Sequence, residues 1–124
     1  MGHFSATENK WNKIYSDKPF DDRPCWLLEN NAHLLPTTGR ALDLACGLGG
    51  NALHLARLGL ESHAWDASST ALEKLSATAN SNALSVTTLQ RDIEQQPPEE
   101  NSFDVITVSH FLYRPLMPSL FSAL

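Results

Sequence analysis

The sequence predicts an α/β three-layer sandwich, a parallel sheet flanked by helices, and three observations carry that prediction. Short apolar runs of strand length alternate with amphipathic runs of helical period from residue 40 onward. A glycine-rich turn, Cys46-Gly-Leu-Gly-Gly50, joins the first of these runs to the helix that follows. Strands separated by helices imply right-handed crossovers, and therefore parallel neighbours with helices on both faces. The length of 124 residues suits one such domain.

Residues 1–39 read as a helical segment that precedes the first strand. Ser5 and Glu8 fit an N-terminal capping box, and Trp11, Ile14 and Tyr15 follow at helical spacing until Lys18-Pro19. A second helix is expected from Pro24 through Trp26, Leu27, Leu28 and Leu34 to Leu35, because proline suits a first helical turn and Pro36 and Gly39 stop what comes after. Trp11 and Trp26 read as residues that pack these helices.

Residues 40–124 form the α/β unit. The run 40–45 is a first strand, and Asn51, Ala52, Leu55, Ala56 and Leu58 mark a helix ended by Gly59. A second strand spans 61–65. Ser68, Ser69 and Thr70 offer N-caps, Thr70 with Glu73 forms a capping box, and Ala71, Leu72, Leu75 and Ala79 make one apolar stripe. Strands follow at 85–90 and 103–109 around a polar loop, and a last helix begins at Leu116.

Composition narrows the function. Nine Lys and Arg against fourteen Asp and Glu, with a net charge of −5 and no basic run, argue against a sequence-independent hold on nucleic-acid phosphates. Cys25 and Cys46 have no zinc-ligand spacing and are too few for a disulfide framework, so both are expected as free thiols, with no metal. No run approaches the roughly 20 apolar residues of a membrane span, and the first residues lack the basic and apolar order of a secretory signal. The expected location is the cytoplasm.

The segment 41–59, strand into glycines into helix, is where chemistry is expected. Glycines there let a ligand approach the backbone, and the helix start presents N–H groups to a negatively polarised group. A tight turn without a ligand is the ordinary alternative. Asp43 lies inside the strand, where a carboxylate is costly to bury alone. Asp66 follows the second strand, where an acid accepts hydrogen bonds from a ribose diol. Gly47, Gly49 and Ala52 also satisfy the dinucleotide fingerprint, so a nicotinamide-dependent oxidoreductase stands as an alternative. A carboxylate at Asp43 would repel a pyrophosphate and suits a ligand with a positive end.

These residues resemble the class I S-adenosylmethionine-dependent methyltransferases. The likeness runs from residue 40 to 112: D-L-A-C-G-L-G (43–49), W-D-A-S (65–68), R-D-I (91–93) and F-D-V-I-T-V-S-H-F-L (103–112). W-N-K-I-Y (11–15) and H-F-L-Y-R-P-L (110–116) are similar, more narrowly, to small-molecule methyltransferases of the tellurite-resistance type. The resemblance implies a Rossmann-like sheet in the order 3-2-1-4, with the chain stopping after the fourth strand of a seven-stranded family sheet. It implies S-adenosylmethionine as cofactor and a small-molecule methyl acceptor.

By that resemblance Asp43 and the backbone of Ala45, Cys46 and Gly47 hold the methionine part, Gly49 allows close approach, and Asn51 is a further cofactor-binding residue. Asp66 binds the ribose, Ala67 and Ser68 line the adenosine edge, Asp92 and Ile93 meet the adenine, and Ser109 lies by the methionine moiety or the acceptor. His110 is the candidate general base, and Tyr15, Arg23, Tyr113 and Arg114 are candidates to flank the acceptor. Ala45 stands where the family has glycine, a small change that a strand end tolerates. Cys46 sits near a helix start that would lower its pKa, and His54 is expected on the helix surface. A non-catalytic adenosine-ligand or assembly module is the remaining alternative. The fourth strand is expected at an open sheet edge, which predicts either a longer enzyme or pairing between chains.

Overall fold

β1 (Arg40–Leu44) is the central strand, pairing in parallel with β2 (Glu61–Asp66) on one side and β4 (Val105–Val108) on the other. β3 (Val86–Gln90) adds in parallel beyond β2, so the order is β3-β2-β1-β4, as expected. The computed structural model describes residues 6–17, 24–108 and 114–124. Its helices are α1 (Ala6–Asp17), α2 (Trp26–Asn30), α3 (Gly50–Arg57), α4 (Ser69–Ser81) and α5 (Met117–Ala123).

Alternation along β1 divides the core. Leu42 and Leu44 join Trp65, Ile93, Phe103, Leu116 and Leu120 on the face covered by α5. Ala41, with Val105 beside it, packs on Leu28 of α2 and Leu55 of α3. Ala64 of β2 meets Ala52 and Leu53 of α3 and Leu75 and Ala79 of α4 on that same face. Alanines at 41, 52 and 64 leave room for α3 to approach the strands closely, and the Ser62 hydroxyl donates to the Ala52 carbonyl at 2.7 Å to hold it there. Each fully buried leucine contributes about 1.5–3 kcal/mol over an exposed one.

Several local expectations are corrected. The second helix does not run to Leu35: α2 ends at Asn30, and Ala32–Leu34 is a separate 3-10 turn. The side-chain amides of Asn30 and Asn31 donate to the Trp26 and Leu27 carbonyls at 2.9 and 2.8 Å, a local alternative to the helical ladder. With α2 so short, only Leu28 reaches the core, and Trp26 is 73% exposed rather than packed. The cap of α4 is Ser68, whose hydroxyl accepts from the Ala71 N–H at 3.1 Å, and not a Thr70–Glu73 box. Phe103 is buried ahead of β4 rather than within it. Ser5 and the Lys18-Pro19 stop lie outside the described residues.

Candidate functional site at the carboxyl ends of the strands

The β1–α3 turn is built from left-handed residues: Ala45, Gly47 and Gly49 have φ of 54°, 56° and 81°. The Cys46 N–H extends the ladder to the Trp65 carbonyl at 3.1 Å, and the Gly49 N–H closes the turn on the Cys46 carbonyl at 3.0 Å. Ala45 is therefore not an ordinary strand end. It occupies a conformation that costs a residue with a Cβ about 1–2 kcal/mol, which glycine avoids. A Cβ at Gly47 would lie 2.7 Å from the Tyr15 hydroxyl. A Cβ at Gly49 would lie 2.3 Å from Cδ1 of Leu75, so the close approach there is made by α4.

Asp43 is 2% exposed and points from β1 toward the start of α3. Its carboxylate accepts from the Ala52 N–H at 3.0 Å and from the Thr107 hydroxyl at 3.3 Å. Thr107 is its register partner on β4. Burial pushes the Asp43 carboxyl up to about 8, with the two hydrogen bonds opposing and the Asp66 charge adding to the rise.

Asp66 closes β2, one residue further than the sequence places that strand's end. One oxygen accepts from the Gly47 N–H and the other from the Ser68 N–H, both at 2.9 Å. A carboxylate has about four acceptor sites, so each oxygen keeps capacity for a further donor. Burial raises its pKa against these amide bonds. The Ser68 hydroxyl is turned away from the turn, donating to Asn12 and accepting from Ala71 at the head of α4.

The Arg91 N–H donates to the Asp66 carbonyl at 2.9 Å, which brings the segment after β3 alongside Asp66. The Arg91 guanidinium lies 4.2 Å over the Trp65 ring and donates to the Gln96 and Pro97 carbonyls and to Glu99. That fixes the loop carrying Asp92 and buried Ile93, while Gln90 donates to the Ala67 carbonyl at 3.1 Å. Asp43, Ala45, Cys46, Gly47, Asp66, Ala67, Asp92 and Ile93 thus gather at the strand ends, where β1 faces β4 and the strand order reverses. Ligands of open α/β sheets bind at that point. Ser109, His110, Arg23 and Tyr113 lie outside the described residues, and Arg114 is exposed.

Other expectations change. The Cys46 thiol is pushed up rather than down, by burial first and then by the charges of Asp43 and Asp66. Asn51 is buried and its Oδ1 accepts from the Cys25 N–H at 2.7 Å, tying α2 to α3. His54 is half-buried, with an enclosed Nε2. Tyr15 reaches over Gly47, and its phenol is pushed up to about 12 by burial and by Asp66, Cys46 and Asp43. Thr107 and Asn12 carry no signal in the sequence, because their partners are 64 and 56 residues away and no local pattern marks them. Among the described residues no His, Cys, Asp and Glu cluster could hold a metal ion.

The arrangement suits a ligand with a cationic end. Two buried acids under a backbone turn, when ionised, attract an ammonium or sulfonium and repel a pyrophosphate. Fold and geometry together define a doubly wound α/β domain with two buried acids at the carboxyl ends of its central strands. Residues 41–124 match the methyltransferase domain family, and the chain belongs to that family. It is 36% identical over 83 residues to the probable S-adenosyl-L-methionine-dependent methyltransferase TehB of Haemophilus influenzae, a match that covers 65% of this chain and 29% of TehB. The matched segment therefore spans under a third of the length of that relative. The crystal structure of Haemophilus influenzae TehB is similar at a TM-score of 0.68 and 26% identity, over 94% of this chain and 40% of that one. A structure from work on the conversion of a disulfide bond into a thioacetal group during echinomycin biosynthesis is similar at a TM-score of 0.73 and 27% identity, over 94% of this chain and 55% of that one.

Proposed function

We propose that this chain binds S-adenosylmethionine at the carboxyl ends of β1, β2 and β3 and transfers its methyl group to a small-molecule acceptor. The observation that carries the reading is buried Asp43, set between the Ala52 N–H and the Thr107 hydroxyl beneath a left-handed backbone turn. When bound, the cofactor supplies a methyl group on a sulfonium, a good leaving group for in-line displacement. Asp43 and the backbone at Ala45, Cys46 and Gly47 hold the ammonium end. Asp66 accepts from the ribose hydroxyls with the acceptor capacity left beyond Gly47 and Ser68. Ala67 and the Ser68 backbone line the adenosine edge, and Asp92 and Ile93 border the adenine. Ser109 and His110, next in the sequence after β4, are assigned by the family resemblance to the methionine moiety or the acceptor, His110 as general base. Acceleration comes chiefly from holding the acceptor in line at near-attack distance. Two free cysteines fit a reducing compartment, consistent with action in the cytoplasm.

Calorimetric titration with S-adenosylhomocysteine, with reduced nicotinamide dinucleotide as control, tests the reading. Saturable binding of the first alone is expected, and binding of the second alone overturns it in favour of an oxidoreductase. Binding without turnover on any acceptor would favour an adenosine-ligand module. Asp66→Asn keeps an acceptor for one backbone amide and removes the charge. It is expected to weaken S-adenosylhomocysteine by about 10- to 100-fold, the worth of charge-assisted hydrogen bonds of roughly 1.5–3 kcal/mol. Unchanged affinity would remove Asp66 from the ribose.

Among the described residues β4 pairs with β1 alone, and Val108 on it is 38% exposed. We propose that this edge is covered either by further strands of a longer enzyme or, in the chain as given, by a second copy, as open apolar edges recruit strands. Light scattering over a concentration series is expected to show dimers that Val108→Lys dissolves. A monomer at every concentration would refute the pairing.

A further inference from the structure

We infer that α1 is a latch over the site and that Asn12 is the positioning residue that sets it, holding Tyr15 above Gly47. The inference rests on the cofactor reading for the identity of the ligand, and on the hydrogen bonds of α1 for the latch itself.

Asn12 uses both ends of its amide at the head of α4. Its Oδ1 accepts from the Ser68 hydroxyl at 2.6 Å and from the Thr70 N–H at 3.0 Å. Its Nδ2 donates to Glu8 Oε1 at 3.1 Å and lies 3.4 Å from the Ser69 hydroxyl, which itself donates to Glu8 at 3.0 Å. One turn further along α1, the Lys74 ammonium donates to the Tyr15 carbonyl. Asn12 thus satisfies an N–H of the first turn of α4 from outside that helix, a role that a local cap normally fills.

Asn12 and Tyr15 are three residues apart, on one side of α1. Between their contact points runs one hydrogen-bonded chain: Asn12 to the Ser68 hydroxyl, the Ser68 N–H to Asp66, and Asp66 to the Gly47 N–H, above which the Tyr15 hydroxyl lies. A ligand that engages Asp66 and the Gly47 turn therefore meets the two places where α1 is anchored. Docking of α1 and ligand binding bias one another reciprocally. The docking is polar. Among the described side chains of α1 only Glu8 is buried, and Trp11 and Ile14 are 37% and 39% exposed. Part-exposed polar contacts make a latch that opens, where a buried apolar stripe would make a fixed helix.

The test measures amide hydrogen exchange along α1 with and without S-adenosylhomocysteine, together with calorimetric affinity. In the wild-type chain the ligand is expected to slow exchange in α1 by about tenfold or more. Asn12→Ala is expected to speed ligand-free exchange in α1 by about tenfold and to weaken the ligand by a similar factor, with β1 and β2 keeping their protection. Glu8→Gln with Asn12→Asp exchanges the donor and acceptor roles between the two positions, and is expected to restore both quantities. Tyr15→Phe is expected to weaken the ligand while α1 stays protected. Unchanged exchange in Asn12→Ala, an equal loss of protection in the strands, or ligand binding that leaves α1 exchange unaltered would each overturn the latch. Failure of the wild-type chain to bind the ligand would overturn the cofactor reading instead, since the ligand-free comparison decides the latch independently.

Discussion

Asp43→Asn is expected to stabilise the ligand-free chain at alkaline pH and to weaken its ligand. The unfolded chain ionises Asp43 near its ordinary value of 3.8, whereas the folded chain holds the proton up to about 8 because the site is dry. Between those values the native state binds the extra proton, so stability falls as pH rises through the window and is lowest above it. Every pH unit that separates the two values corresponds to about 1.4 kcal/mol. The neutral amide avoids that cost: its oxygen accepts from the Ala52 N–H, and its NH2 donates to the Thr107 hydroxyl. Urea unfolding is expected to show the Asp43→Asn chain several kcal/mol more stable than wild type near pH 9, with the gap shrinking as pH falls through the window and little difference near pH 4.

The same carboxyl must ionise to hold an ammonium group, so wild-type affinity for S-adenosylhomocysteine should rise with pH up to about 8. In Asp43→Asn that dependence should vanish and affinity fall by about 10- to 100-fold, as expected for loss of a charged hydrogen bond. Equal stability of the two chains near pH 9 would show that Asp43 ionises without penalty. The site thus trades stability for a charge held where the ligand needs it.

Gly49→Ala is the second large effect, a loss of about 2–4 kcal/mol from a left-handed residue gaining a Cβ and from an overfilled core. At φ 81° the new methyl would meet Cδ1, Cδ2 and Cγ of Leu75 at 2.3, 2.7 and 2.8 Å. Leu75 is itself fully buried among Ala52, Leu53, Ala64 and Ala79, so it moves only by displacing packed neighbours. Chemical denaturation should show the loss, and Leu75→Ala in the same chain should recover part of it. An unchanged midpoint would mean that α4 yields where the packing says it does not. Gly47→Ala should cost less stability, because its methyl meets the end of the Tyr15 side chain on polar-docked α1.

The sequence by itself determined the four strands and the crossover helices between them, since alternation and helical period are local and each element carries its own apolar face. It also marked Asp43 and Asp66, because an acid inside an apolar strand and one at a strand end stand out without knowledge of their neighbours. Local signals failed where two of them competed. Asn30 and Asn31 broke a helix that the leucine spacing favoured, and Ser68 took the cap from Thr70. Only the tertiary structure decided what those acids touch. Thr107 reaches Asp43 through strand register, Leu75 demands the glycine at 49 through helix packing, and Asn12 caps α4 from the far end of the chain. Burial likewise set the proton affinities of Asp43 and Cys46, reversing for the thiol what its place near a helix start implies. Register, packing and desolvation are relations between residues distant in the chain, and no run of neighbouring residues encodes them.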